Sequence, residues 1–264
     1  MSTRVHYAFH HKRIPNIEKP TRFTEKIIRR KLLDRDPRLP ERSDKIAVKH
    51  FVSAKIGSDF VTQTIWSGAW LPRREERNWQ TPFVLKANNG SGTTNIFVRS
   101  KENCNWDYIE ERCRSWLSTS HASWLGEWLY TQIEPKLLVE PYIGNISALP
   151  TDYKFFVFSG RVHFIDVDTD REYDHKRTFF DRQWNRQEFS LCYEPDSRDI
   201  SRPRSLETMI RAAESLAEDF EFVRVDFYEI DGQPKFGEMT FYPDGGIGKF
   251  WPDFYDLKFG ELWK

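Results

Sequence analysis

"FVRVDFYEIDGQPKFGEMTF", residues 222–241, contains two runs of alternating residues meeting at Asp231-Gly232. In the first run Arg224, Asp226 and Tyr228 share one face and Val223, Val225 and Phe227 the other, the two-residue period of a β-strand. In the second, Glu238 and Thr240 fall together. An Asp-Gly between such runs signals a hairpin. A three-residue loop, 231–233, with Gly in the left-handed region would pair 226 with 238 and 224 with 240. Arg224, Asp226, Glu238 and Thr240 then form one polar patch on otherwise apolar strands. Two carboxylates directly opposite each other repel. A divalent cation removes that objection, and Mg²⁺ takes one or two carboxylates together with substrate phosphates. A surface ion cluster around Arg224 would account for the same residues without a metal. A two-residue turn would instead send Asp226 and Glu238 to opposite faces unless a bulge intervened.

The second informative stretch is "VLKANNGSGTT", residues 84–94, which begins as a buried strand and then turns to Lys, Asn, Gly, Ser and Thr. Glycines let backbone N–H groups approach phosphate oxygens closely, and Lys86 adds a point charge. No Gly-Lys-Ser/Thr follows, so this is not a P-loop. Taken alone, the stretch reads equally well as a flexible hairpin. A loop that cradles phosphate and a carboxylate pair for a metal are, however, the two halves that nucleotide chemistry needs.

The 264 residues suffice for one large domain or two small lobes. With 30% charged residues and a mean hydropathy of −0.69, the chain reads as a soluble globular protein. No apolar run approaches ~18 residues, and "MSTRVHYAFHHKRIPNIEK" lacks the apolar core of a signal peptide. Cys104, Cys113 and Cys192 show no CxxC spacing and read as reduced thiols, which places the chain in the cytoplasm. The zero net charge hides an asymmetry. Residues 1–50 carry 14 Lys/Arg against 6 Asp/Glu, about +8, and the remainder about −8. Such a segment would attract phosphate, the inner face of a membrane or an acidic polymer, or serve as solvated helix faces. The neutral total argues against a nucleic-acid partner.

Along the chain, Thr24–Leu33 has helical spacing and "DRDP" (34–37) closes it. Ser43 reads as the N-cap of a second helix that Gly57 stops. Residues 60–70 read as extended, 82–86 and 95–98 as strands, 107–119 as a helix, and 137–143 as an apolar strand carrying Glu140. Residues 152–158 and 161–167 alternate around a Ser159-Gly160 turn, and Ser205 reads as the cap of an apolar-faced helix. Hairpins recur without a steady βαβ rhythm, which points to α+β with antiparallel sheets carrying helices.

These runs together resemble the TupA-like branch of the ATP-grasp superfamily. "TRFTEKI" (21–27), "DRDP" (34–37) and "SDKIAV" (43–48) are similar to its N-terminal signature. "FVLKANNGSG" (83–92), "DYKFFVFSG" (152–160), "DHKRTFFD" (174–181), "FVRVDFY" (222–228) and "FGEMTFYP" (236–243) are similar to its core. The resemblance implies two α+β lobes gripping ATP: a basic helical and extended segment over 1–80 packing on the core, a small lobe over 81–140 and a large lobe over 141–264. It also implies ATP and Mg²⁺ as cofactors. Lys86 would contact the α- and β-phosphates, and the loop with Asn89, Gly90, Ser91 and Gly92 would close over them. Glu140 would accept from the adenine amino group, and the backbone of Tyr142 and Ile143 would meet the adenine edge. Asn145 or Asp152 would take the ribose. Lys154 would face the phosphates, and Arg171, Lys176 and Arg177 lie in the region that contacts the γ-phosphate and substrate. Asp226 and Glu238 match the Mg²⁺ carboxylates, with Thr240 where many members have Asn. Arg224 matches an arginine that neutralises an acyl phosphate.

Three functions follow from these residues and their resemblance. The first is an ATP-dependent carboxylate–amine ligase acting through an acyl phosphate, its substrates an amino acid and a uronic acid or related carboxylate of a surface polysaccharide. The second is a kinase on the same fold, which calls for an Asp near the acceptor hydroxyl, with Asp152, Asp168 and Asp170 as candidates. The third is a nucleotide-binding module without catalysis, which the joint presence of Lys86, Arg224, Asp226 and Glu238 argues against. Membrane or glycan-enzyme contact through the basic segment is left open, as is the oligomeric state.

Overall fold

The structure is a computed structural model that describes residues 3–90, 94–118 and 126–264. Ser91 and Gly92, singled out in the glycine loop, lie outside the described residues.

Two antiparallel sheets organise the chain. The larger one comprises β5 (Asp152–Phe158), β6 (Arg161–Thr169), β7 (Lys176–Asp181), β9 (Phe222–Ile230) and β10 (Gln233–Thr240), in the order β10-β9-β5-β6-β7. The smaller one comprises β1 (Trp66–Gly68), β2 (Phe83–Ala87), β3 (Asn95–Val98) and β4 (Leu137–Pro141), in the order β1-β4-β2-β3. Short strands β8 (Ser190–Leu191) and β11 (Phe250–Trp251) pair apart from both. This is the α+β architecture with antiparallel sheets that the recurring hairpins predict.

The large sheet is covered on both faces. On one, helix Leu206–Ala217 presents Leu206, Met209, Ile210, Ala213 and Leu216 at helical spacing to β5, β6 and β9. The other face is divided along its length. One half is aromatic, with Phe156, Phe158, Phe179 and Phe222 packed under Phe23 and Phe259. The other half carries the polar residues described below.

The N-terminal segment is split between the two sheets. Helices α2 (Phe23–Leu33), α3 (Arg38–Ser43) and α4 (Ala47–Ile56), which follow α1 (Thr3–His11), contribute Phe23, Ile27, Leu39, Val48 and Val52 to the large core. Strand β1 instead pairs with β4 in the smaller sheet. Of the extended stretch expected over 60–70, only residues 66–68 form a strand.

Two cap assignments are corrected. Ser43 ends α3 rather than opening α4; Asp44 takes the capping role, its Oδ1 accepting from the N–H groups of Ile46 (2.7 Å) and Ala47 (3.2 Å). Ser205 occupies its cap position, but its hydroxyl bonds Glu229 Oε2 at 2.6 Å instead of a helix N–H. Gly57 does stop α4, at φ +108°.

The last hairpin reaches its expected pairing by another route. Asp231 and Gly232 both adopt positive φ and form a two-residue turn, pairing Gln233 with Ile230 rather than leaving a three-residue loop. That register alone would set Glu238 out of phase with Asp226. A bulge at Gly237, between Phe236 and Glu238, restores the pairing of Glu238 with Asp226 and of Thr240 with Arg224. A Cβ at Gly237 would lie 3.1 Å from the Asp226 carbonyl oxygen, so the close approach favours glycine.

Candidate active site

The polar half of the large sheet's face is assembled by register. Asp226 on β9 lies between Glu238 on β10 and Lys154 on β5, and Lys154 in turn faces Asp166 on β6. One residue pair along, Tyr228, Asp152, Asp168 and Arg177 line up across β9, β5, β6 and β7. Buried charges are tolerated only when paired, and here they pair densely.

Arg224 binds Asp226 bidentately, Nε to Oδ1 at 2.8 Å and Nη2 to Oδ2 at 2.7 Å. The same Nη2 reaches Glu238 Oε1 (3.3 Å) and Thr240 Oγ1 (3.1 Å), and the Thr240 hydroxyl contacts Glu238 Oε1 at 3.1 Å. Lys154 Nζ bridges Asp226 Oδ2 (3.1 Å) and Asp152. Burial alone would lower the Lys154 pKa, but Asp152 and Asp226 outweigh it and raise it well above the ordinary lysine value. Burial also opposes ionisation of Glu238, yet Lys45 and Arg224 hold its carboxyl down at about 2. The pair is open to solvent on one side only: the Glu238 side chain is 33% exposed, that of Asp226 2%.

The glycine loop is tied to this hairpin by Lys45. Its Nζ donates to the Gly90 carbonyl at 2.6 Å and to Glu238 Oε2 at 3.3 Å. Asn88, fully buried at the root of the loop, donates to Asp44 Oδ2 (3.0 Å) and the Glu134 carbonyl (3.0 Å), and its Oδ1 accepts from Lys136 N–H (2.8 Å). The turn between α3 and α4 therefore fixes where the loop starts. Lys86 points to Glu140, Nζ to Oε2 at 2.5 Å, and Lys49 of α4 occupies the other carboxylate oxygen. Burial works against the charged form of Glu140, but the two ammonium groups prevail and hold its carboxyl below the ordinary range.

Beyond this group, Arg171 joins the cluster through Asp152 Oδ2 (3.0 Å). Lys176 does not: it pairs outward with Asp174 (3.1 Å), and its neighbour Arg177 faces inward to Asp168 (2.9 Å), Asp166 (3.0 Å) and Asp244 (3.3 Å). The Tyr142 N–H is committed to Pro82 O at 3.0 Å. Asn145 caps its own loop, its Oδ1 accepting from Ser147 N–H at 2.9 Å.

The sequence reading passed over Lys45, Lys49, Asn88 and the Asp166–Arg177 contact. Lys45 lies inside the quoted "SDKIAV" stretch, in the turn before α4, and Lys49 follows four residues later on that helix, so that signal was available. Nothing in β6 taken alone distinguishes Asp166 from an ordinary polar strand residue.

Among the described residues no group of three or more His, Cys, Asp or Glu side chains is placed to hold a metal. A two-carboxylate donor set of this kind suits Mg²⁺ bound jointly with phosphates rather than a cation held by protein alone. Two surface hollows, of about 670 and 320 Å³, lie away from the cluster, the first beside α2 and the second beside helix α5 (Trp106–Ser118).

No curated protein matches the chain. Solved structures do match it at low identity. A D-alanine–D-alanine ligase from Bacillus anthracis is 18% identical, over 76% of this chain and 57% of that one, with a TM-score of 0.44. The ATP-grasp ligase PsnB with its minimal precursor is 12% identical, over 78% and 53%, with a TM-score of 0.45. An L-amino acid ligase from Bacillus licheniformis is 12% identical, over 75% and 44%, with a TM-score of 0.42. The chain spans about half the length of these structures. The family model described as TupA-like ATPgrasp matches residues 25–264, so the chain belongs to the TupA-like ATP-grasp family.

Proposed function

We propose that the chain is an ATP- and Mg²⁺-dependent carboxylate–amine ligase. The observation that supports this best is the Asp226–Glu238 pair, set opposite each other on the hairpin, flanked by Arg224 and Lys154, and linked through Lys45 to the root of the glycine loop. Asp226 and Glu238 would hold Mg²⁺, with Thr240 beside them, and Mg²⁺ would supply charge neutralisation on the phosphates. Lys86, Lys45 and Lys154 would bind the triphosphate, under the loop containing Asn89 to Gly92. The carbonyl of Tyr142 and the amide of Ile143 would meet the adenine edge.

A substrate carboxylate then attacks the γ-phosphorus in line, ADP leaves, and an acyl phosphate forms. Arg224 is placed to steady it. An amine attacks the acyl carbon, phosphate departs, and an amide remains. Arg171 and the inward-facing Arg177 offer guanidinium groups for the carboxylate substrate; Lys176, paired outward, would serve at the rim. An amino acid joined to a uronic acid of a surface glycan fits this chemistry.

One observation favours the ligase over the kinase alternative. Each Asp candidate for a kinase base carries cationic partners (Lys154 and Arg171 on Asp152, Arg177 on Asp168, Arg198 on Asp170), and a carboxylate beside such cations is a weaker base. Incubation with ATP, Mg²⁺ and carboxylate/amine pairs tests the assignment. Hydroxylamine should convert the acyl phosphate to a hydroxamate and free phosphate, with ADP formed in the preceding step; a stable phosphorylated hydroxyl product would reverse the choice.

A further inference from the structure

The ligase chemistry leaves one proton unassigned. An aliphatic amine near neutral pH is an ammonium, with no lone pair to attack an acyl carbon until a base takes a proton from it. The carboxylates of the cluster carry cations, which weakens them as bases, and the lysines and arginines hold their protons. Burial raises the Tyr193 phenol against the pull of Arg177, so it keeps its proton too. His175 offers what these groups lack, because an imidazole both takes and releases a proton near neutrality.

His175 sits just before β7, in the "DHKRTFFD" stretch, beside the outward Lys176 and the inward Arg177. Its Nε2 is buried, 3.0 Å from Asp168 Oδ1. An ionised carboxylate only accepts, so this approach puts the proton of the neutral ring on Nε2 and the lone pair on Nδ1. Tyr193, two residues past β8, lies against the imidazole with ring centroids 3.8 Å apart and holds its plane. The side chain still keeps 23% of its surface in solvent, on a ring whose Nε2 is covered. Asp168 is itself fixed by Arg177, Nε to Oδ1 at 2.9 Å and Nη2 to Oδ2 at 3.1 Å. Burial opposes ionisation of Asp168, but His175, Arg177 and Lys154 prevail and keep its carboxyl below the ordinary range. The imidazole is thus faced by Asp168 from β6, by Tyr193 after β8 and, behind these, by Arg177 from β7. Asp174 and Glu194, both largely in solvent, pair with Lys176 instead.

Lys154 ties this corner to the metal pair. Its Nζ lies 3.1 Å from Asp226 Oδ2 and 3.7 Å from Asp168 Oδ2, so a single ammonium separates the two carboxylates. The imidazole therefore stands on the Arg177 side of the pair, where the carboxylate substrate is seated in the ligase reading.

We propose that His175, oriented by Asp168 and Tyr193, is the base that takes the proton of the attacking amine, a role that rests on the ligase reading above. The proton passes from the amine nitrogen to Nδ1 while the nitrogen's electron pair forms the bond to the acyl carbon. The acyl carbon–oxygen bond breaks, and phosphate leaves with its electron pair. Asp168 stabilises the imidazolium, which returns its proton to water.

The test uses His175→Gln, which keeps an N–H for Asp168 but has no basic nitrogen. Wild type and variant are assayed with ATP, Mg²⁺ and a panel of uronic and amino-acid carboxylates, with glycine or hydroxylamine as the amine. The variant should lower the ratio of amide to hydroxamate about 10²-fold, since hydroxylamine is already a neutral nucleophile near neutral pH. The deficit with glycine should shrink as pH rises towards the amine's own pKa, a response that a merely structural role lacks. A nitrogen–proton correlation spectrum of the wild type, its His175 signals identified by their loss in the variant, should show the neutral ring protonated on Nε2. A proton on Nδ1 instead, undiminished amide formation, or an equal loss with both amines at every pH overturns the assignment. A wild type that forms no hydroxamate with any carboxylate removes the ligase reading itself, and the role of His175 with it.

Discussion

Glu140→Gln separates two roles for one residue. The family resemblance gives its carboxylate to the adenine amino group; the structure gives one oxygen to Lys86 and the other to Lys49. Glutamine keeps the shape but removes both charge-assisted bonds, each worth about 1.5–3 kcal/mol. Lys86 and Lys49 keep 25% and 15% of their side-chain surface in solvent, so part of that loss returns as hydration. A net destabilisation of about 2–4 kcal/mol near neutral pH is expected, or roughly 4–16 °C in melting temperature for a chain of this size. The pH dependence has a definite sign. The folded Glu140 carboxyl lies below its ordinary value, so its contribution is present above the ordinary carboxyl range and fades as pH falls through the folded value. Melts of wild type and Glu140→Gln should therefore differ most near neutrality and converge in acid. Equilibrium binding of ATP and GTP supplies the second readout. An ion-pair hub weakens both nucleotides by the same factor. An unchanged melting temperature together with a selective loss of ATP would refute this reasoning and return the residue to adenine recognition.

Further outcomes follow from the same geometry. Glu238→Gln should lower Mg²⁺-dependent ADP formation by about 10²–10³-fold, and lower the melting temperature as well, because Lys45 and Arg224 lose the carboxylate they hold ionised. Asp226→Asn should abolish the same turnover and also cost about 3–5 kcal/mol in urea unfolding, because it strips Arg224 and Lys154 of a buried partner. Asn88→Ala should cost about 2–4 kcal/mol by leaving buried groups at Asp44, Glu134 and Lys136 unpaired, as read by the same titration. Burial, then Arg13 and Lys249, hold the His11 imidazole down at about 4, with Asp253 and the Gly246 backbone opposing. A depressed histidine contributes stability that is full above its ordinary 6.5 and lost as pH falls towards 4, so His11→Phe should flatten the melting curve across that window.

The strands were legible because their faces differ: β9 alternates charged and apolar residues, and its Asp-Gly turn is a strong local signal. The acid pair was anticipated with the right partners but the wrong loop. Asp231-Gly232 forms a two-residue turn, and Gly237 supplies the extra residue that rephases the strand. An isolated Gly within a strand hints at a bulge, yet which residue is bulged depends on what the neighbouring strand must face. Which of Lys176 and Arg177 enters the cluster is set by the parity of β7 against β6, and that is a tertiary fact. The caps failed for a related reason. Ser43 and Ser205 carry the right chemistry for a cap, but Asp44 sits one residue on and Glu229 offers a competing acceptor.

The charge asymmetry of the sequence resolves into two populations of cations. One is spent inside the fold: Arg13 and Arg22 on Asp256, whose side chain also accepts from Thr24; Arg30 on the Phe222 carbonyl; and Lys31 on that of Gly245. Lys45 and Lys49 belong with these, since they neutralise Glu238 and Glu140 from α4 and the turn before it, outside both sheets. The negative remainder of the chain is thus partly a demand for cations that the first fifty residues meet, and the candidate site is incomplete without them. Lys26 belongs with the first population, its ammonium bonded to the Trp263 carbonyl, and Lys19 and Arg29, of the second, share their hollow with Glu18, Asp34 and Glu221. Lysine and arginine side chains lose little by staying hydrated, so folding alone does not require them there.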